Sequence, residues 1–492
     1  MSKKIVCLML VALLVVTSTG IAVYAGQPDR TYTYEGSTAV PSTNVYQVKQ
    51  IVDESVMGTT RLNQPTDIFV DKNERTFVLD AGNSRVLILD KDYKCIKELK
   101  DFMYNGEVTN IATDAKGLFY RETNQTLYIA DTGNNRIIVS DLEGNVSRIY
   151  GKPVDELLNP EEPYMPQKII VDNMGIMYVS SGRVNTGAMM VDSANNFLGF
   201  YGTNKLKLTA AMQLEFFWRS ILTDEQIKNA GTTFQPVEYY NLFWSDDRFI
   251  YAVSPVMDSL ESTVVKLNAL GNNVFAENID FVEIEKNSKE ENMQLVDITV
   301  DTEGAFTVLD QITGRLFHYD ENCNLLAIFG GLGYQKGLFT LPISIESDDD
   351  NNLLVLDSTK GTITVMEQTY YGQMIRVANR LYNEGRYQES VEPWMDVLRM
   401  NANYTQAYVG LGKAYIGMGE YEKAMDFFKI GQDKAGFAEA KAALRDEIVR
   451  EYFGIIAIVV IVALVVILFS EQISGTYYKI IRIFSRKRGA KR

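Results

Sequence analysis

"FVLDAGNSRVLILD", residues 77–90, returns at residues 127–141 as "LYIADTGNNRIIVSD". Each copy sets an apolar run on either side of a short polar turn, the pattern of two adjacent β-strands. Asp80, Gly82, Asn83 and Arg85 of the first recur as Asp131, Gly133, Asn134 and Arg136 of the second. Gly and Asn suit a tight turn that needs positive φ, and the Asp carboxylate can accept its backbone N–H groups. Neither copy holds a nucleophile beside a base, a cysteine cluster or a phosphate-cradling loop. The phrase therefore repeats a shape rather than a reaction.

Working outward, the chain holds six copies. Each opens on a polar residue, followed four positions later by an acid or serine: Asp67 with Asp71, Asn110 with Asp114, Lys168 with Asp172, Asn241 with Ser245, Asp297 with Asp301, and Ser344 with Asp348. Nine residues later an apolar run ends at Asp80, Ser181, Ser254, Asp310 or Asp357; the second copy reaches Asp131 only after 17, which places extra residues in its first hairpin. The first copy reads as four strands, at 68–70, 76–79, 85–89 and 95–99. Four-stranded units repeated at this spacing are expected to stand radially, so that each hides both faces against its neighbours. The fold class is mainly β: a six-bladed β-propeller over 62–369. Segment 26–61 has strand character at 32–34 and 45–51 and is expected to close the last blade, removing exposed edges.

The D-x-G-N-x-R stretch resembles the NHL-repeat family. The match is clear in blades one and two, partial in five (Asp310, Gly314, Arg315) and six (Asp357), and eroded in three and four. The resemblance implies a propeller, usually of six blades. Arg85 and Arg136 either pair with their aspartates or contact a ligand. The six opening residues, Asp67, Asn110, Lys168, Asn241, Asp297 and Ser344, are expected to ring the channel on one face. Propeller lactonases resembling this fold hold a divalent cation there. Asp67, Asn110, Asn241 and Asp297 would be the oxygen donors, and calcium the ion suited to them. Lys168 competes with such an ion, so a wet polar channel with no cofactor is the plainer expectation. The histidine-rich zinc site of the related amidating lyase is beyond a chain with one histidine, His318. Run 347–352, "SDDDNN", reads as a solvated hairpin. Two insertions follow fourth strands, at 151–167 and 204–236. The second reads as helical and carries Phe216, Phe217 and Trp218, which either pack on the propeller or make Trp218 part of a binding face.

From residue 370 the period becomes helical. Gly385, Tyr387 and Ser390 return 34 residues later as Gly419, Tyr421 and Ala424, beside Leu411, Gly412, Tyr415 and Phe428, with Trp394 in the Phe428 place of the first copy. This resembles the tetratricopeptide repeat and implies a small helical array over 370–451, as a partner groove or a spacer. Residues 452–469 hold no charge and are long enough as a helix for a bilayer core, about 27 Å. Lys3, Lys4, the apolar run 5–16 and the cleavage-site residues Val23-Tyr24-Ala25 read as an export signal, 1–25. The tail 471–492 carries Lys479, Arg482, Arg486, Lys487, Arg488, Lys491 and Arg492 against Glu471. That excess predicts a cytoplasmic tail, a single span at 452–470, and an extracellular bulk.

The exported part is then near −23, which excludes nucleic acid as a partner. Of three cysteines only Cys95 and Cys323 follow the signal, too few for a disulfide scaffold. The expected function is a membrane-anchored binding or scaffold protein with a protein partner in the membrane or envelope, and room for a small ligand. The arrangement resembles exported Gram-positive proteins that accompany carbohydrate uptake systems. Two alternatives stay open: a metal-dependent hydrolase of lactonase type, and a sensor ectodomain signalling through a partner.

Overall fold

The computed structural model describes residues 31–35, 38–184, 186–203, 238–245, 247–255, 263–275, 293–468 and 475–483. The signal 1–25, the insertion 204–236 with Trp218, and the end of the tail lie outside the described residues. The chain divides into two compact units, Met1–Arg376 with Arg399–Tyr404, and Val377–Leu398 with Thr405–Arg492.

The first unit is a six-bladed propeller. Blade one pairs Asp67–Val70, Thr76–Asp80, Arg85–Leu89 and Cys95–Leu99 in sequence order, all antiparallel. Its second and third strands are buried at every residue, whereas the outer strand alternates. Inner strands covered on both faces read as continuous apolar runs, and an edge strand reads as alternation. Blade two (Gly117–Arg121, Thr126–Asp131, Arg136–Ser140, Val146–Tyr150) and blade three (Pro166–Val171, Met177–Ser181, Ala188–Val191, Phe197–Tyr201) repeat the order. Blade four has three strands among the described residues: Asn241–Trp244, Ile250–Val253 and Val264–Leu267. Aromatic pairs bridge neighbouring blades, as Phe77 stacks on Tyr120 at 4.8 Å.

The N-terminal segment closes blade six as expected, and its earlier strands add to blade five. Tyr46–Val52 pairs with Thr362–Gln368 as the outer strand of blade six, as residues 45–51 promised. Thr31–Glu35 instead lies against Leu325–Gly330, outside blade five, with Thr38–Ser42 beyond it. One strand suffices to complete blade six, so the earlier pair extends the neighbouring sheet.

The turn chemistry also differs in detail. The positive φ after the Asp falls on Ser84 (52°) and Asn135 (54°), one residue beyond the Gly-Asn pair. Gly82 serves close approach instead: a Cβ there would lie 2.4 Å from the Asn63 carbonyl oxygen. Except for Asp114, which precedes the first strand of blade two, the second members of the repeat close the turns after the first strands. Asp172 Oδ1, for one, accepts from the Met174 and Ile176 N–H groups, both at 2.8 Å.

The second unit is helical. Helices Tyr387–Met400, Thr405–Gly417 and Tyr421–Ile430 follow Tyr370–Asn383, whose first turns belong to the propeller unit. Glycines let the helices approach: a Cβ on Gly410 would meet the Trp394 ring at 2.4 Å, and one on Gly412 the Phe428 ring at 2.7 Å. The last helix is one continuous run, Lys434–Leu468. Gly436 and Ala440 at its start are buried, and its apolar second half is long and hydrophobic enough to cross a membrane.

Candidate functional site

In blades one and two the repeated motif binds the blade to the connection entering it. Asp80 accepts from the Asn63 N–H at 2.7 Å, Asn83 Nδ2 at 2.8 Å and Arg85 Nε at 2.6 Å. Arg85 Nη2 donates to the Thr60 carbonyl at 2.9 Å. Asp131 does the same with the Ala112 N–H, Asn134 and Arg136. Both arginines are thus engaged by their aspartates and by backbone.

Asn110 does not take the expected place. Its carbonyl accepts from Arg136 Nη2 at 2.9 Å, in the connection ahead of blade two. Gly117 faces Ala130 in the register in which Asp67 faces Leu79, so Gly117 holds the ring position. The extra residues form a separate hairpin, Phe102–Tyr104 with Glu107–Thr109, before the first strand rather than within it. The physical reason is contact: a Cβ at position 117 would lie 2.3 Å from the Gln167 carbonyl oxygen.

The other five ring residues meet at the axis and are buried. Lys168 Nζ donates to both Asp67 oxygens, at 2.8 and 2.9 Å. Asp67 also accepts from the Leu118 N–H at 2.8 Å and from Ser344 Oγ at 2.9 Å. Asp297 accepts from Asn241 Nδ2, from the Ile298 N–H and, at 2.7 Å, from the Ile345 N–H. Between them the two carboxylates tie together all six blades. This is a cross-bonded plug, not the wet channel lining expected from sequence. Two residues along each strand the same side recurs, bringing Phe69 and Phe119 edge to face at 5.4 Å beneath the plug, with buried Glu346 in that layer.

Burial raises the Asp297 carboxyl to about 6; the Lys168 ammonium opposes the shift and Asp67 reinforces it. Burial likewise raises Glu346, against the pull of Lys168. Burial acts to lower Lys168, but the charges of Asp67, Asp297 and Glu346 outweigh it and hold the ammonium charged. One cation thus faces three carboxyl groups, two of which burial shifts toward their neutral forms.

Above the plug a cavity of about 1020 Å³ opens on the face that carries the entry connections and the turns between strands two and three. Asp67, Lys168 and Asn241 form its floor, and Gln64, Gln294 and Gln311 are among its walls. Its three cations, Arg61, Lys116 and Lys168, balance three acids, Asp67, Asp114 and Glu238. Asn241 Oδ1 is buried on this floor without a hydrogen-bond donor among the described residues. Sequence reasoning missed the walls. The signal lay in register: Gln64, Asp114, Glu238 and Gln294 each stand three residues before a ring position.

Three of the proposed metal donors, Asp67, Asn241 and Asp297, meet in the plug, but Asn110 lies outside the ring, the Lys168 ammonium sits against Asp67, and among the described residues no three His, Cys, Asp or Glu are grouped to hold an ion. His318 packs in the third strand of blade five, its Nδ1 2.9 Å from Thr307 Oγ1 and its ring edge-on to Tyr46.

No protein-family model matches the chain, and no curated protein matches it. Solved structures to which it is similar include virginiamycin B lyase from Staphylococcus aureus, at 8% identity over 66% of this chain and 100% of that one, TM-score 0.40. The WD40 β-propeller domain of Doa1 aligns at 10% identity, 66% and 97% coverage, TM-score 0.38. A gluconolactonase from Xanthomonas campestris aligns at 12%, 69% and 99%, TM-score 0.37. At these identities and scores no activity transfers, and the count of six blades rests on the strand pairing.

Proposed function

We propose that the chain is a single-pass membrane protein whose propeller stands outside the cell and binds a polar, uncharged ligand or partner segment in the cavity above the plug. The cavity floor carries this reading: amide groups, a charge-balanced wall and a buried acceptor on Asn241 suit a ligand offering hydroxyl or amide donors. The carboxylates beneath are held by lysine and backbone, which favours binding over hydrolysis. The apolar helix Lys434–Leu468 and the basic tail support the anchor and its orientation.

The NHL-like and tetratricopeptide-like motifs support a finer reading, an accessory to a carbohydrate uptake system with a protein partner in the envelope. Cross-linking in intact cells followed by purification in mild detergent tests it. A stable envelope partner, released by Gln64→Arg or Gln294→Arg in the cavity wall, is the expected result. Capture that ignores both substitutions would move the interface elsewhere, and no captured partner would sink the scaffold reading. Labelling with a membrane-impermeant reagent tests orientation: a cysteine at position 154, where Val154 is 97% exposed, should react in intact cells.

A further inference from the structure

Beyond the apolar helix Lys434–Leu468, the described residues 475–483 are helical. Their sequence is Gly-Thr-Tyr-Tyr-Lys-Ile-Ile-Arg-Ile. At about 100° per residue, Ile480, Tyr477, Ile481 and Tyr478 fall on one continuous arc, with Lys479 and Arg482 together on the other side. A polar face of this kind with an apolar counterpart needs cover for the apolar arc. Among the described residues it has none: Tyr477 is 64% exposed, Tyr478 73% and Ile481 46%.

Tether length narrows what can cover it. Six residues separate Leu468 from Gly475, and seven Cα steps reach at most about 25 Å. On the reading that Lys434–Leu468 crosses a bilayer, the short helix cannot leave the neighbourhood of that bilayer's surface. Tyrosines favour the headgroup level, and lysine and arginine favour anionic lipid.

We propose that helix 475–483 lies in the membrane plane, its Tyr477–Ile481 face in the headgroup–acyl boundary and Lys479 and Arg482 on anionic headgroups. The inference rests on the anchoring proposed above. It turns the tail from a passive end into a lipid-sensing contact.

The test uses the full chain, with Cys7, Cys95 and Cys323 replaced by serine, in lipid nanodiscs containing phosphatidylglycerol. Single cysteines at 461, 479 and 481 carry an environment-sensitive fluorophore. The label at 481 should be quenched by brominated lipid and shielded from iodide, and the label at 479 the reverse. Lys479→Gln and Arg482→Gln should each shift the docked-to-free ratio about five-fold toward free, as should phosphatidylcholine discs in proportion to lost charge. Equal iodide quenching at 479 and 481 overturns the interfacial helix. Equal shielding in phosphatidylcholine overturns the anionic-lipid assignment. The label at 461 separates the two levels: if lipid bromines fail to reach it, the anchor itself is wrong, whereas quenching at 461 without shielding at 481 removes only this inference.

Discussion

At the scale of single residues the propeller is held by carboxylates that each serve several blades or connections. Asp80 is fully buried and Arg85 nearly so, so Asp80→Ala leaves the buried guanidinium with only the part-exposed Glu98 carboxylate at 3.2 Å and should cost about 3 kcal/mol in urea unfolding. Glu143→Ala, which removes the exposed pair with Lys97, should stay within about 0.5 kcal/mol. Comparable losses from both would show that burial is not what matters. Gly117→Ala forces the neighbouring strand away and should cost about 1–3 kcal/mol. Asp297 supplies a pH test. Its carboxyl is raised to about 6, so the folded chain holds a proton that the unfolded chain releases near pH 4. Stability from this group therefore falls as pH rises from about 4 to 6, by roughly 3 kcal/mol, and is flat above. His318, lowered to about 4 by burial, acts in the opposite sense over pH 4 to 6.5. The informative quantity is the gap to Asp297→Asn, which lacks the titration. It should move in the variant's favour between pH 4 and 6, and a constant gap would refute the assignment.

At the scale of elements, the strand Tyr46–Val52 completes blade six by pairing with Thr362–Gln368. Without it the Thr362–Gln368 edge offers unpaired backbone groups to any other chain. A chain lacking residues 38–52 should form oligomers in gel filtration and regain monomeric behaviour when the peptide 38–52 is added. Monomeric, cooperatively melting protein without the peptide would show that closure is dispensable. The helix Lys434–Leu468 joins the Phe428 contact of the helical array to the apolar span without a break. A Gly-Gly insertion near Arg445 should loosen that connection without changing the melting of the propeller.

At the scale of the whole molecule, the two units and the apolar helix imply separable roles. A chain ending at residue 451 should leave the membrane fraction, need no detergent, and keep the urea midpoint of the propeller. Persistence in the membrane pellet would mean that something besides the span holds it there.

Much of this was legible in the residues. Apolar runs between Asp-Gly-Asn turns determined the blades, because a strand buried on both faces must be apolar throughout, and that demand is local. The helical period, the span and the blade-one strand limits followed from equally local constraints. Only the tertiary structure decided that Gly117 replaces Asn110 in the ring, since the reason is a carbonyl of the next blade 2.3 Å from an absent Cβ. It alone turned five polar residues into a plug, because their partners sit up to 277 positions apart in the chain. The sequence lists the polar groups, but only the closed circle of blades determines which of them face one another and lose water.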